Sequence, residues 1–460
     1  MTGLWFLQTA AEQLSQAREG LDTPFLERLV GIVGMASMIG IAWLISTDRK
    51  KVNWRLVGMG IVLQVIFAFI VLKTGVGKAL FTVANQVFIK LLGFTQDGAA
   101  FIFGNLVHDN VPVGLPSGTP AESSALEAVE MWANTGASFA FSVLPTIIFF
   151  SSLMSVLYYL GVMQWIVRGI AWVMQRTMGT SGAETLSVAG NIFVGQTESP
   201  LLIKPFVLNM TYSELNTVMV GGFATIAGGV MAAYVGMLSP YFPEIAGHLL
   251  TASVMNAPAA LLISKILVPE LGEPKTKVGV KLEIEKQEAN VIEAAAGGAA
   301  QGLHLALNVG AMLLAFIALI ALVNYGVGAI GGLVGLVDLS LERIFGWVLA
   351  PLAFLMGVPW EDAGTVGSLI GVKTVVNEFV AYLQLAGTLE GGVGLTPRGA
   401  IIATYALLGF ANFSSIAIQI GGIGGIAPPR RGDLSRLGLR AMIGGNLAAF
   451  MSASLAGMLL

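Results

Sequence analysis

The chain of 460 residues contains no cysteine. That excludes disulfides, thiolate metal sites and cysteine nucleophiles. Its three histidines, His108, His248 and His304, are too few and too scattered for a metal cluster. Charge is scarce as well, at 11% of residues against roughly 25% in an ordinary soluble domain. So few charges cannot cover a water-facing surface of this size, so most of the exterior must face lipid. With 24 basic against 27 acidic residues, net −3, the polycationic face that holds nucleic acid is also missing. What is present is 55% hydrophobic residues and 58 glycines, the composition of an integral membrane protein.

Residues Met1 to Pro24 carry Glu12, Arg18, Glu19 and Asp22 and do not have the basic start and apolar run of a cleaved signal peptide. Stretches long enough to cross roughly 30 Å of hydrocarbon follow near 27–47, 56–73, 139–161, 216–238, 251–269, 303–325, 397–427 and 441–459. Shorter or glycine-broken segments lie near 80–94, 163–178, 183–203, 328–356 and 364–386. The stretch 80–94 is too short to span comfortably. Its mixed pattern suits either an interfacial helix or a helix packed under a loop. Arg49, Lys50, Lys51 and Arg55 flank the first tight turn, and Arg430, Arg431, Arg436 and Arg440 precede the last span. The positive-inside rule puts both loops in the cytoplasm and both termini outside.

Ionisable side chains inside hydrocarbon cost at least about 2.5–3.5 kcal/mol and need a partner or a cavity. Two carboxylates sit in otherwise apolar, interrupted segments: Glu198 within Gly190–Pro200, and Glu378 within Val372–Val380. Gly195 and Pro200 bracket Gln196-Thr197-Glu198, so a regular spanning helix is not expected there. Backbone of that kind survives at membrane depth only in protein or around a wet cavity, as in a re-entrant hairpin. The bland alternative is an inert ion pair of each glutamate with its neighbouring lysine, Lys204 or Lys373. Beyond each acid comes a glycine-rich interruption in an apolar run, Gly221–Val230 and Gly409–Ala417. Discontinuous helices related by inverted repeats, meeting at a midplane site, have this pattern. Close packing of small residues explains many of the glycines by itself. Carboxylates, amides and hydroxyls together suit an uncharged, polyhydroxylated ligand, and Gln and Asn match a nucleobase edge. Gly421–Gly425 is no nucleotide loop, since it follows a membrane span and not a strand.

Gly190–Pro200, Gly221–Gly229, Asn377-Glu378-Phe379-Val380-Ala381, Gly409–Gly422 and Val143–Leu153 resemble the concentrative nucleoside transporter family, with the likeness running from about residue 30 to the C-terminus. The resemblance implies an all-α integral membrane fold. It would have about eight spanning helices, two re-entrant hairpins and an interfacial helix, built as inverted repeats in a homotrimer. It implies secondary active symport of nucleosides by alternating access of an elevator type, in the plasma (inner) membrane of a bacterium, with no enzymatic activity and no cofactor beyond the coupling ion. The nucleobase would face Gln196, Thr197 and Glu198. The ribose would bind Glu378, Asn412 and Ser415, and Val230 and Phe410 would line the pocket. Sodium would be held by the side chains of Asn191 and Thr225 and the carbonyls of Val194 and Ile226. Ser199 stands where alanine is usual and Thr225 where serine is common, and neither change removes an oxygen ligand.

The segments then group as 1–95, 96–180, 181–270, 271–360 and 361–460, with the moving region drawn from 181–270 and 361–460. Carrying one positive charge inward is worth roughly 2.3 kcal/mol per 100 mV, and a tenfold ion gradient about 1.4 kcal/mol. Together they suffice for accumulation of several hundred-fold. Protons carried by Glu198 or Glu378 are the alternative coupling ion, with Asn191 favouring sodium. An intramembrane serine protease built on Gly179-Thr180-Ser181-Gly182 is a weaker reading, because no histidine shares an interrupted segment with Ser181. A channel is weaker too, because interrupted helices in both halves favour alternating access over a continuous pore.

Overall fold

The computed structural model describes residues 23–108, 110–112, 132–134, 139–276, 288–333, 335–390 and 394–459. Among them the chain is almost wholly helical, with one two-stranded antiparallel pairing that sets Val111 opposite Ala133. Helices α1 (Phe25–Leu44), α2 (Trp54–Lys73) and α3 (Gly75–Phe103) come first. Then follow α4 (Leu144–Tyr159), α5 (Val162–Met178) and the short α6 (Gly182–Gly190). Next are α7 (Tyr212–Ala224), α8 (Gly228–Leu238), α9 (Ile245–Leu267) and the 43-residue α10 (Val291–Leu333). The last part holds α11 (Leu341–Leu355), α12 (Trp360–Val375), α13 (Glu378–Glu390), α14 (Pro397–Leu407), α15 (Phe413–Ile426) and α16 (Arg431–Leu459).

The helix starts are set by short polar side chains that accept from otherwise orphaned amides. Asn53 accepts from Leu56 N at 3.2 Å, Thr74 from Gly77 N at 3.1 Å and Thr396 from Gly399 N at 3.1 Å. Ser181/Glu184 and Thr211/Glu214 form reciprocal capping boxes at α6 and α7. These two starts are tied together, because the Ser181 hydroxyl donates to Glu214 Oε1 at 2.5 Å. Lys265 joins them, with its Nζ 2.7 Å from Glu184 Oε2 and 3.2 Å from Glu270 Oε2.

The same end of the molecule gathers both basic loops. Thr47 N donates to Leu267 O at 2.9 Å and Ser213 Oγ to Val268 O at 2.6 Å. Arg430 reaches Met210 O at 2.7 Å. The turn Arg49–Lys51 and the stretch from Arg430 onward therefore share one face of the protein, as a single cytoplasmic side requires.

Among the described residues eight helical stretches are long and apolar enough to cross a membrane, and α11 with α12 forms a further pair bent by 116°. Two runs read from the pattern as spans, 216–238 and 397–427, are broken in mid-course, at 225–227 between α7 and α8 and at 408–412 between α14 and α15. One expectation needs correction. The stretch 80–94 is part of the 29-residue α3, so its supposed shortness was an artefact of polar residues inside a longer helix. The strongly two-sided helix is instead α5, which buries Met163, Val167, Ala171, Met174 and Met178 and exposes Trp165, Arg168, Trp172 and Arg176. Tryptophan and arginine on one face suit the headgroup layer. The glycine-broken segment 328–356 divides as its pattern suggests, since α10 ends at Leu333 and α11 begins at Leu341, capped by Ser340.

Burial divides the helices sharply. Nearly all of α7, α8, α9 and α14 is buried, whereas α10 exposes Leu307, Leu314, Leu322 and Leu333. Where α10 does pack, it packs close: a Cβ on Gly302 would lie 2.7 Å from the Ile148 backbone of α4. Small residues permit such backbone approach.

Candidate functional site

The first hairpin begins with α6. Its chain then turns through Asn191–Glu198 and returns as a short 3-10 stretch, Ser199–Ile203. As Gly195 and Pro200 predict, no regular helix passes through. The second hairpin is α12 and α13, turning at Val376 and Asn377, whose Oδ1 caps α13 by accepting from Val380 N at 2.9 Å. Glu378 is the first residue of α13 and is buried.

Both Glu378 oxygens are held by neutral donors. Tyr234 OH of α8 donates to Oε1 at 3.1 Å, and Asn412 Nδ2 donates to Oε2 at 2.8 Å. Asn412 caps α15, its Oδ1 accepting from Ser415 N at 2.9 Å and from Ser414 Oγ at 2.7 Å. Ser415 Oγ in turn accepts from Gln196 Nε2 at 3.2 Å, and Gln196 Oε1 accepts from Gln419 Nε2 at 3.0 Å. A continuous run of hydrogen bonds thus joins the tip of the first hairpin, the second broken helix, the turn of the second hairpin and α8. Of the substrate residues read from the sequence, the structure brings Gln196, Glu378, Asn412 and Ser415 into this run. Val230 lies one helical turn before Tyr234 on α8 and is buried. Phe410 is half-buried in the second break, and Thr197 sits against Gly422 of α15.

Glu198 stands outside this run. It is exposed, whereas the sequence pattern groups it with Glu378 as a second acid of the interior. The inert pairing of acids with adjacent lysines does not form. Lys204 is exposed, and Lys373 donates to the carbonyls of Ala406 and Leu408 at 2.9 and 3.2 Å. Ser181, the nucleophile of the protease reading, is a buried helix cap bonded to a carboxylate, and His248 contacts Tyr405 at 3.3 Å. Among the described residues no group of three acidic or histidine side chains is placed to hold a metal.

Beside the first hairpin tip lies a second constellation. Asn191 is completely buried, yet neither Oδ1 nor Nδ2 has a hydrogen-bond partner. An amide in that condition costs about 1–3 kcal/mol unless something satisfies it. Around it the first break is tied down. Phe193 O accepts from Gly228 N at 2.9 Å, Ser253 Oγ donates to Ile192 O at 3.0 Å, and Asn256 Nδ2 donates to Ala224 O at 2.6 Å. The Thr225 hydroxyl donates to Gly221 O, which leaves its oxygen lone pairs free. Among the described residues the carbonyls of Val194 and Ile226 accept none of these bonds. The residues present are neutral oxygens, which fit a monovalent hard cation.

Sequence reasoning missed Tyr234, Gln419, Asn256 and Asn446, the last donating from Nδ2 to Ala411 O at 2.9 Å. Gln419 was findable, because it lies four residues after Ser415 on one helix face of an apolar run. Tyr234 was not, since a tyrosine among Val, Met and Ala reads as core.

Three family descriptions match the chain: Na+ dependent nucleoside transporter N-terminus over residues 33–106, nucleoside recognition (gate) over 140–241, and Na+ dependent nucleoside transporter C-terminus over 248–457. An uncharacterized transporter of Haemophilus influenzae is 45% identical, with 94% of this chain and 97% of the relative covered. Sodium/nucleoside cotransporter 1 of Mus musculus is 41% identical over 94% of this chain and 64% of its own longer length. The structure of CNTnw in an inward-facing substrate-bound state superposes with a TM-score of 0.82 at 43% identity, covering 94% of this chain and 97% of that one. An outward-facing structure of a CNTnw variant superposes at 0.84 with 43% identity, covering 95% and 98%. The chain belongs to the concentrative, sodium-dependent nucleoside transporter family.

Proposed function

We propose that the chain is a secondary active symporter that brings nucleosides into the cell down a sodium gradient. The observation that carries this reading is the hydrogen-bonded run Gln196–Ser415–Asn412–Glu378, drawn from both halves of the protein and adjoining the unpartnered Asn191. Glu378, with its oxygens aligned by Tyr234 and Asn412, accepts from the sugar hydroxyls. Asn412 and Ser415 turn toward the same sugar, while Gln196, Thr197 and Glu198 face the base, and Val230 and Phe410 supply the apolar walls. Sodium sits among Asn191 Oδ1, Thr225 Oγ1 and the carbonyls of Val194 and Ile226. The homologues' sodium dependence supports sodium over protons as the coupling ion.

Residues 181–270 and 361–460 act as the moving body, sliding against the lipid-exposed helices of the rest in an elevator-like step. The exposed apolar length of α10 supports a homotrimer in which neighbouring copies cover part of it. The shared basic face supports a cytoplasmic placement for Arg49–Lys51 and Arg430–Arg440 in a bacterial inner membrane, with both termini outside.

Radiolabelled nucleoside uptake into proteoliposomes, with sodium and proton gradients imposed separately, tests the reading. Uptake driven by inward sodium alone is expected. Uptake that follows the proton gradient and ignores sodium would remove it.

A further inference from the structure

The two breaks are built alike. Each follows the C-terminal end of a half-helix, α7 ending at Ala224 and α14 at Leu407. Each is held by an asparagine of the next long buried helix that donates to a carbonyl of the break, Asn256 to Ala224 O and Asn446 to Ala411 O. Each faces the C-terminal end of its hairpin's first arm, α6 or α12. The breaks also touch: a Cβ on Gly409, which has φ +107°, would lie 2.9 Å from Ala224 O. Helix C-termini present carbonyl oxygens with negative partial charge and favour a cation. Two such ends converge at each break, so each break calls for one.

What meets that demand differs. At the first break the polar contacts come from Asn256, Ser253 and Thr225, all neutral, and the end of the hairpin arm contributes Asn191 with both side-chain atoms unpartnered. At the second break the end of the arm contributes Lys373. Its side chain is fully buried, and Nζ donates to Ala406 O in the last turn of α14 and to Leu408 O at its cap, at 2.9 and 3.2 Å. Among the described residues no carboxylate lies within 4.0 Å of it as an ion-pair partner.

We propose that Lys373 is the tethered counterpart of the sodium ion: its ammonium occupies in the second half the place that a free cation takes in the first. It rests on the sodium reading given above. The second break then needs no ion from solution and contributes none to the coupling ratio. Lys373 is a positioning residue, keeping α14 unwound at Leu408 so that Phe410 and Asn412 are presented to substrate.

The test compares Lys373→Asn, which leaves a neutral oxygen, with Lys373→Arg, which keeps the charge. Both are read by uridine uptake in proteoliposomes and by melting temperature, each against sodium with choline as replacement. Lys373→Asn is expected to gain a sodium requirement, its Hill coefficient rising from about 1 toward about 2 as a second linked site appears. Its melting temperature should depend more steeply on sodium than that of the native protein. Lys373→Arg should keep the native sodium curve. A Lys373→Asn protein with the native sodium curve overturns the proposal. So does one that cannot be recovered folded in either sodium or choline, because sodium should replace the missing ammonium; recovery in sodium alone supports it. Asn191→Ala separates the underlying reading: an unchanged sodium response in that variant removes the first site, and with it the counterpart argued here.

Discussion

The two halves of the transporter share a plan and diverge in their polar contents. In the second half, Glu378 and Lys373 are both buried, and every strong polar group at the turn has a protein partner. In the first half, Asn191 is buried without one and Glu198 is exposed. The hairpins differ accordingly. Arms of 16 and 13 residues make the second a stiff helical pair, while the first has a 9-residue helix and returns through a 3-10 stretch. At the turn of the second hairpin the polar groups satisfy one another within the protein, whereas at the turn of the first the Asn191 amide is left without a partner.

Substitutions can sharpen or break that contrast. The largest effect is expected from Glu378→Gln. It replaces a carboxylate acceptor with an amide facing the donors Tyr234 and Asn412, and hydrogen bonds to charged groups are worth about 1.5–3 kcal/mol. Nucleoside affinity should fall by about 10- to 100-fold or more, while the assembly's mass by light scattering stays unchanged; native uridine transport would refute the sugar assignment. Asn191→Ala comes next, with the sodium concentration for half-maximal uptake rising roughly tenfold and nucleoside affinity in saturating sodium little altered. Equal losses for both ligands would erase the distinction between the two constellations. Tyr234→Phe removes a donor that aligns Glu378 while Asn412 still holds the other oxygen. Only part of the roughly 1.5–3 kcal/mol of that bond should reach the ligand, so nucleoside binding should weaken by about 2- to 10-fold in a titration. Ser181→Ala should leave uptake as it is and lower the melting temperature, since a helix cap is worth about 1 kcal/mol. Lost transport in a fully folded Ser181→Ala protein would reopen the hydrolase reading.

The sequence exposes the site through incongruity. Gln196, Glu378, Asn412 and Ser415 stand out because polar side chains interrupt apolar runs, and the structure joins them by hydrogen bonds. The broken helices were legible for the same reason, through glycines and small polar residues at 221–230 and 409–417. Two kinds of information were hidden. Pairing partners were one: Lys373 looks like a mate for Glu378 five residues on, but a helix C-terminus competes for the ammonium with two carbonyls. Dual-natured residues were the other, since Tyr234 counts as apolar in any periodicity yet aligns the central carboxylate. The length of α3 was obscured in reverse, by Asn85, Gln86, Lys90, Gln96 and Asp97 lying within one continuous helix.

One clip, Phe193 O to Gly228 N, ties the two constellations together mechanically. It fastens the loop beside Asn191 to the first residue of α8, and the same rod carries Val230 and, four residues further along, Tyr234. A displacement at that fastening would be carried down the rod to the phenol that donates to Glu378. The loop beside Asn191 and the carboxylate at the second turn are thereby coupled through one short helix of eleven residues.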